Sequence, residues 1–164
     1  MRRFSLEHEY RLRYTRDQFD LASSSPQPLT ARDVLAVAGL DHSHLLDTPL
    51  DYERGGGDRD LRNAVAALYD GITGDDVLIT AGASEGIRVA LTAAIHPGDR
   101  VVVQQPAYAA LYNTSFALGA DVLPWRSDGG FQFDFASLSD ESRTATAIIF
   151  NNPHGPSGSA VLGD

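Results

Sequence analysis

From residue 58 onward, stretches with helical spacing alternate with short apolar runs, and this alternation limits the fold more than any other feature. "DRDLRNAVAALYDG" sets Leu61, Val65 and Leu68 at i, i+4 and i+7 behind an Asp58 cap, with Gly71 closing the helix. "DVLIT" follows as an apolar strand. "SEGIRVALTAAI" then repeats the helical spacing through Ile87, Leu91, Ala94 and Ile95. "RVVVQ" reads as a β-branched strand, "PAYAALYNTSFALG" as a helix between Pro106 and Gly119, and "ADVLPW" and "TATAIIF" as two further strands. Continuous apolar strands separated by amphipathic helices imply an α/β fold: three layers, a mainly parallel sheet, and helices on both faces.

The part before residue 58 is richer in turns. "ARDVLAVAG" predicts a short helix capped by Thr30 and ended by Gly39, followed by the loop "LDHSHLLDTPLDYERGGGD". Between the last two strands, Phe131, Phe133 and Phe135 alternate with polar residues before a polar stretch. The sequence contains no internal repeat.

Composition excludes several functions. A net charge of −9 and a pI near 4.8 argue against a nucleic-acid or anionic-membrane surface, although local anion sites remain open. No apolar run reaches membrane length and the charged N-terminus has no signal-like apolar core, so a cytoplasmic location is expected. Cysteine is absent, which removes disulfides, thiolate metal sites and thiol nucleophiles. All 13 Lys+Arg positions are arginine; the 164 residues contain no lysine.

Parallel α/β sheets bind ligands beyond the carboxyl ends of their strands. Three unusual loops fall at such ends: "AGASEG" after "VLIT", "QPAY" after "VVVQ" and "NNPHGPSG" after "AIIF". Right-handed crossovers bring all three to one edge. In "GASEG", Gly82 serves a tight turn and Ser84 opens a helix. Either the exposed amides form an anion site with the Ser84 hydroxyl, or Ser84 simply caps the helix. Tyr108 offers either a ring face for a planar ligand or an ordinary core or rim contact. "NNPHGPSG" combines fixed and permissive backbone at Pro153, Gly155, Pro156 and Gly158, with Asn151, Asn152 and His154 as hydrogen-bonding groups. His42 and His44 beside Asp41 and Asp47 lack a third ligand at helical spacing, so a polar loop is expected there and no metal. Gly55 to Gly57 read as a hinge. Neither a Rossmann nor a P-loop glycine pattern is present.

Taken together, these loops resemble the large domain of fold-type-I pyridoxal-phosphate (PLP) enzymes, the class I and II aminotransferases. The likeness covers residues 47–164, leaving 1–46 as an N-terminal segment with a small helix. It is carried by "LDYERGGGDRDLRNAVAALY", by "ITAGASEGIRVALTAAIHPGDRVVVQQPAY" and by "NNPHGPSG", which is similar to the family's NNPHNPTG. The N-terminal segment and "VLPWR" look closest to amino-acid-modifying members. The resemblance implies that Gly82, Ala83 and Ser84 supply the cofactor phosphate with amides, and that Tyr108 stacks on its ring. It also implies that Tyr52 reaches the phosphate of a neighbouring subunit in a homodimer, and that Ser24 or Ser25 falls near the carboxylate of an amino-acid substrate.

Two departures follow. Gly155 stands where the family motif has the asparagine that contacts the cofactor's phenolic oxygen, so either Asn152 substitutes or that contact is lost. The family's chemistry also needs a lysine to hold the cofactor covalently and move the substrate's α-proton. With no catalytic lysine, the chain is expected to be the front part of such an enzyme. It would hold PLP non-covalently at most and be completed by a lysine-bearing remainder on a complementing chain, or else serve as a non-catalytic remnant or interaction module. Uncovered sheet edge and apolar surface are expected to drive association.

Overall fold

The computed structural model describes residues 26–52, 55–127, 129–130, 132–133, 135–138, 140–155 and 157–160. They fall into two compact units, one within residues 15–77 and one within residues 78–164.

The first unit is built from well-capped helices. In α1 (Ala31–Ala38), the Thr30 hydroxyl accepts from the Asp33 amide at 3.2 Å and the Asp33 carboxylate accepts from the Thr30 amide at 2.9 Å. This reciprocal box satisfies two amides that a helix start otherwise leaves unpaired. Gly39 ends α1 in the left-handed region, φ 68°. The segment expected to be an uninterrupted loop contains a single short helix, α2 (His42–Leu46), whose start is capped by Asp41 accepting from Ser43 N at 2.7 Å. Five residues are too few for a visible 3.6-residue period, and only the Asp-x-Ser cap announces them.

Asp58 caps α3 (Arg59–Ala66), accepting from Leu61 N at 2.9 Å as expected. The helix stops before Leu68, and both Leu61 and Leu68 are exposed, so the expected apolar stripe is not buried within this unit. Instead Arg62 Nη1 donates to Gly74 O at 2.9 Å, tying the 3-10 turn Gly74–Asp76 to α3. A Cβ at Gly74 would lie 2.2 Å from Asn63 Oδ1, so any side chain there would displace that of Asn63.

The second unit holds the sheet. Strands β1 (Arg100–Gln105), β2 (Asp121–Arg126) and β3 (Ala147–Ile149) run parallel in the order β2-β1-β3. β1 is central, and Val101, Val102, Val103 and Gln104 are at most 1% exposed. On one face Val101, Val103 and Ile149 pack with Leu91 of α4 (Ala83–Ala94), with Ile95 just past its end, and with Leu111 of α5 (Ala109–Ala117). On the other, Val102 and Trp125 pack with Phe133 beneath two short 3-10 helices, Phe135–Ser137 and Asp140–Thr144. The alternating phenylalanines thus supply aromatic cover: Phe133 meets the Trp125 ring edge-on at 5.4 Å and Phe135 lies 5.1 Å from it. Phe131 lies outside the described residues.

One expected strand is not formed. Residues 77–80 carry no ladder, and Leu78 is 54% exposed. A strand exists through its neighbour's amides and carbonyls. Among the described residues nothing is registered against 77–80. β3 likewise has a neighbour on one side only, with Ile148 40% exposed. No helix among the described residues is long and apolar enough to cross a membrane.

Two outcomes follow. Leu111→Ala removes a side chain at the junction of α5 and the sheet and lowers unfolding free energy by about 2–5 kcal/mol in chemical denaturation; a loss well under 1 kcal/mol would contradict this core. The hydroxyl and amide of Thr30 hold the Asp33 carboxyl below its ordinary range, as the amide and hydroxyl of Thr73 do for Asp76. Lowered carboxyl pKa values contribute stability that is present above the unfolded value and lost as pH falls through the folded one. Carboxyl NMR titration should therefore show both groups ionising below an unstructured aspartate, and Thr30→Ala should raise Asp33 alone.

Candidate functional site

Gly82 begins the site. Its backbone, φ 87° and ψ 166°, lies in a region essentially confined to glycine. It occupies the N-cap position of α4, no side chain caps that end, and nothing lies within 4 Å of where a Cβ would stand. The amides of the first turn, with the helix dipole behind them, therefore face open space beside Gly82. Glu85 is turned back, accepting from Ala81 N at 2.5 Å. The capping role weighed for Ser84 is not seen. Ser84 is the second helical residue, and its hydroxyl oxygen lies 3.0 Å from the phenolic oxygen of Tyr108.

Tyr108 sits at the start of α5, half-buried, at φ −56° and ψ 127°. Its position is anchored because Ala109, Ala110 and Leu111, which follow it, are at most 6% exposed. Ser84 and Tyr108 are 24 residues apart in sequence. Their contact joins the first loop to the second.

The third loop is joined to the second at two points. Asn151 N donates to Gln104 Oε1 at 2.9 Å, and His154 Nε2 lies 2.6 Å from Pro106 O. A carbonyl only accepts, so Nε2 carries the proton; in the neutral ring Nδ1 then accepts from the Ser157 hydroxyl, 2.7 Å away. His154 is 2% exposed and its ring lies 4.7 Å from that of Phe133. The loop closes on itself through Gly158 N to His154 O at 2.7 Å and His154 N to Ser159 O at 2.6 Å. Of Asn151, Asn152 and His154, the hydrogen-bonding groups expected in "NNPHGPSG", His154 is turned inward as a tie. Asn151 is half-buried, and Asn152 is exposed.

Gln104 was missed by sequence reasoning. Its signal is a polar side chain ending an otherwise β-branched central strand. It is fully buried, and among the described residues its Nε2, together with Asn151 Oδ1, has no hydrogen-bond partner. Sequence reasoning also missed a cavity of about 760 Å³ between α4 and α5, lined by Ser84, Glu85, Arg88 and Asn113 among others. Ser84 and Arg88, one helical turn apart, share that face of α4.

The remaining candidates lie elsewhere. Ala83 is the first, exposed residue of α4. Tyr52 belongs to the unit within 15–77 and is fully exposed. Ser24 and Ser25 lie outside the described residues. Asp41 serves as a helix cap, with its carboxyl held below the ordinary range by the hydroxyl and amide of Ser43. Among the described residues no three potential ligands cluster as a metal site.

This geometry can be compared with known proteins. Residues 16–162 match the family described as aminotransferase class I and II. The chain belongs to the class I and II aminotransferases. Capreomycidine synthase of Streptomyces vinaceus is 38% identical over 95% of the chain. The solved structure of a PLP-dependent aminotransferase from Streptococcus suis superposes with a TM-score of 0.86 over 98% of the chain at 27% identity. A PLP-dependent cyclase, OrfR, gives 0.83 over 98% at 30% identity. The α/β fold is therefore that of the PLP-dependent transferases. The chain spans 41% of the curated synthase and 45% and 43% of the two solved chains.

The ties predict distinct failures. His154→Ala lowers stability by about 1–3 kcal/mol and speeds amide hydrogen exchange selectively in residues 151–159. Exchange unchanged there would show that the ring does not hold the loop. Gly82→Ala forces a side chain into a backbone region it avoids, with a loss of about 1–3 kcal/mol in denaturant unfolding.

Proposed function

We propose that this aminotransferase-family chain forms the phosphate- and ring-holding part of a PLP-dependent enzyme acting on an amino acid, and that a lysine-bearing remainder completes it. The observation that carries this reading is the 3.0 Å contact between Ser84 and Tyr108, which sets a helix start rich in unpaired amides beside an aromatic ring. The residues fit the cofactor's binding elements. Open space beside Gly82 and the uncapped start of α4 suit a phosphate, which the amides of Ala83 and Ser84 and the Ser84 hydroxyl would hold. The half-buried Tyr108 would present its ring to the flat heterocycle.

The two unpaired buried atoms, Gln104 Nε2 and Asn151 Oδ1, support a site that is completed by further polar groups. Asn152 would take the place of the side chain absent at Gly155 as donor to the cofactor's phenolic oxygen. When bound, the cofactor supplies an electron sink; the chain's part is to bind and orient it. No side chain here can attach it covalently as a lysine would, because all 13 basic positions are arginine.

Assembly follows the same reading. We place the protein in the cytoplasm as a homodimer, Tyr52 reaching the neighbouring subunit's phosphate, or as a complex with the complementing chain. The single-sided β3 and the exposed Ile148 and Phe150 support association. Ser24 or Ser25 would lie near the substrate carboxylate. A second reading, a remnant that binds PLP without catalysis, is favoured by the missing lysine and by Gly155.

The test is a titration of the purified chain with PLP followed by visible absorbance and equilibrium dialysis. Saturable binding is expected, with no side-chain adduct located by peptide mapping after borohydride and no transaminase turnover; absent binding, or turnover by this chain alone, would contradict the reading. Nothing lies within 4 Å of a Cβ at Gly155. Gly155→Asn should therefore fold normally and tighten PLP binding about 2- to 10-fold, as one added hydrogen bond would.

A further inference from the structure

We infer that Tyr108 acts on the phosphate as well as on the ring, as a positioning residue that works through Ser84. The inference rests on the cofactor reading above and concerns which way one hydrogen bond must point. Ser84 Oγ and Tyr108 Oη are 3.0 Å apart, and geometry alone allows either to donate. A phosphate dianion offers acceptors only. When one docks at the start of α4, the single Ser84 proton goes to it, because a hydroxyl has one hydrogen and two lone pairs. Tyr108 must then donate to Ser84.

The result is an ordered chain: Tyr108 O–H to Ser84 Oγ, then Ser84 O–H to the phosphate. Each link strengthens the next, since a hydroxyl that accepts a hydrogen bond becomes a better donor. A phenol suits the first place because its proton is more acidic than an alcohol's.

Both ends of this chain are rigidly seated. Ser84 lies in the first turn of α4, and Tyr108 is anchored by the buried residues Ala109, Ala110 and Leu111 that follow it. The hydroxyl is therefore aimed by the backbone and would reach Ser84 without reordering a loop. One side chain then reads two features of the ligand. Its face selects a flat ring, and its hydroxyl, through Ser84, favours a phosphorylated one. Phosphorylated pyridoxal should consequently be preferred over unphosphorylated pyridoxal by more than the amides alone provide.

The test compares PLP, pyridoxal and inorganic phosphate as ligands of the unmodified chain, Tyr108→Phe, Ser84→Ala and the double variant, by equilibrium dialysis. Tyr108→Phe keeps the ring and removes only the hydroxyl. It should weaken PLP and inorganic phosphate about 3- to 10-fold, the range of one net hydrogen bond, and leave pyridoxal unchanged. The double variant should bind PLP no more weakly than Ser84→Ala, because both substitutions break one chain.

Unaltered PLP binding by Tyr108→Phe, equal weakening of PLP and pyridoxal, or additive losses in the double variant would each overturn the inference while leaving the cofactor reading intact. No saturable PLP binding by the unmodified chain would remove that reading, and this inference with it. Thermal unfolding of Tyr108→Phe should match the unmodified chain within a few degrees. A markedly unstable Tyr108→Phe would overturn the inference by making the hydroxyl a fold contact.

Discussion

The carboxyl end of β1 is the constraint on which the site depends. Val101 to Gln104 are sealed between two packed faces, so the strand's end has one position. Gln104 within the strand, and Pro106 and Tyr108 just beyond it, meet Asn151 N, His154 Nε2 and Ser84 Oγ respectively. Burial of apolar side chains supplies the rigidity, at about 1.5–3 kcal/mol for each fully buried aliphatic. The hydrogen bonds then convert that rigidity into a defined arrangement of three turns. Neither contribution would suffice alone. A hydrogen bond contributes only about 1 kcal/mol net, and a greasy core alone does not aim a hydroxyl.

Much of this was legible in the sequence, and the reasons differ by element. β1 is written in consecutive β-branched residues, and α1 and α3 in their Thr30 and Asp58 caps, because capping chemistry is local. The convergence of the second and third loops followed from the parallel run of β1 and β3, a property of topology, whereas the first loop follows residues without a ladder and is joined through Ser84 and Tyr108. Residues 77–80 have the composition of a strand, yet composition cannot provide a neighbour, and their ladder is absent among the described residues. The roles within "NNPHGPSG" were equally illegible. Asn151, Asn152 and His154 look alike as polar loop residues until the fold turns His154 inward to Pro106 and leaves Asn152 exposed. Gln104 escaped for the related reason that its partner lies 47 residues away.

The chain's own residues divide the work of such a site unevenly. They offer amides, a hydroxyl, an aromatic face and a tied loop, all suited to holding a flat anionic ligand. They lack the amine needed for covalent attachment, and at Gly155 they lack a donor found in the family motif. Family membership and a TM-score of 0.86 over less than half of the neighbouring chain agree with a fold whose binding edge forms from this portion. On the reading proposed above, its reactive group comes from the complementing remainder. At that edge, among the described residues, buried amide atoms of Gln104 and Asn151 have no hydrogen-bond partner.

The central claim is that three turns distant in sequence form one binding edge. Its most direct test is a nitrogen-15 NMR titration of the chain with PLP, following individual backbone amides. The account predicts that Gly82 to Ser84, Tyr108 and Asn151 to Asn152 shift together along one saturation curve, with the sheet's other amides unmoved. Shifts confined to one turn, or different curves for different turns, would contradict it.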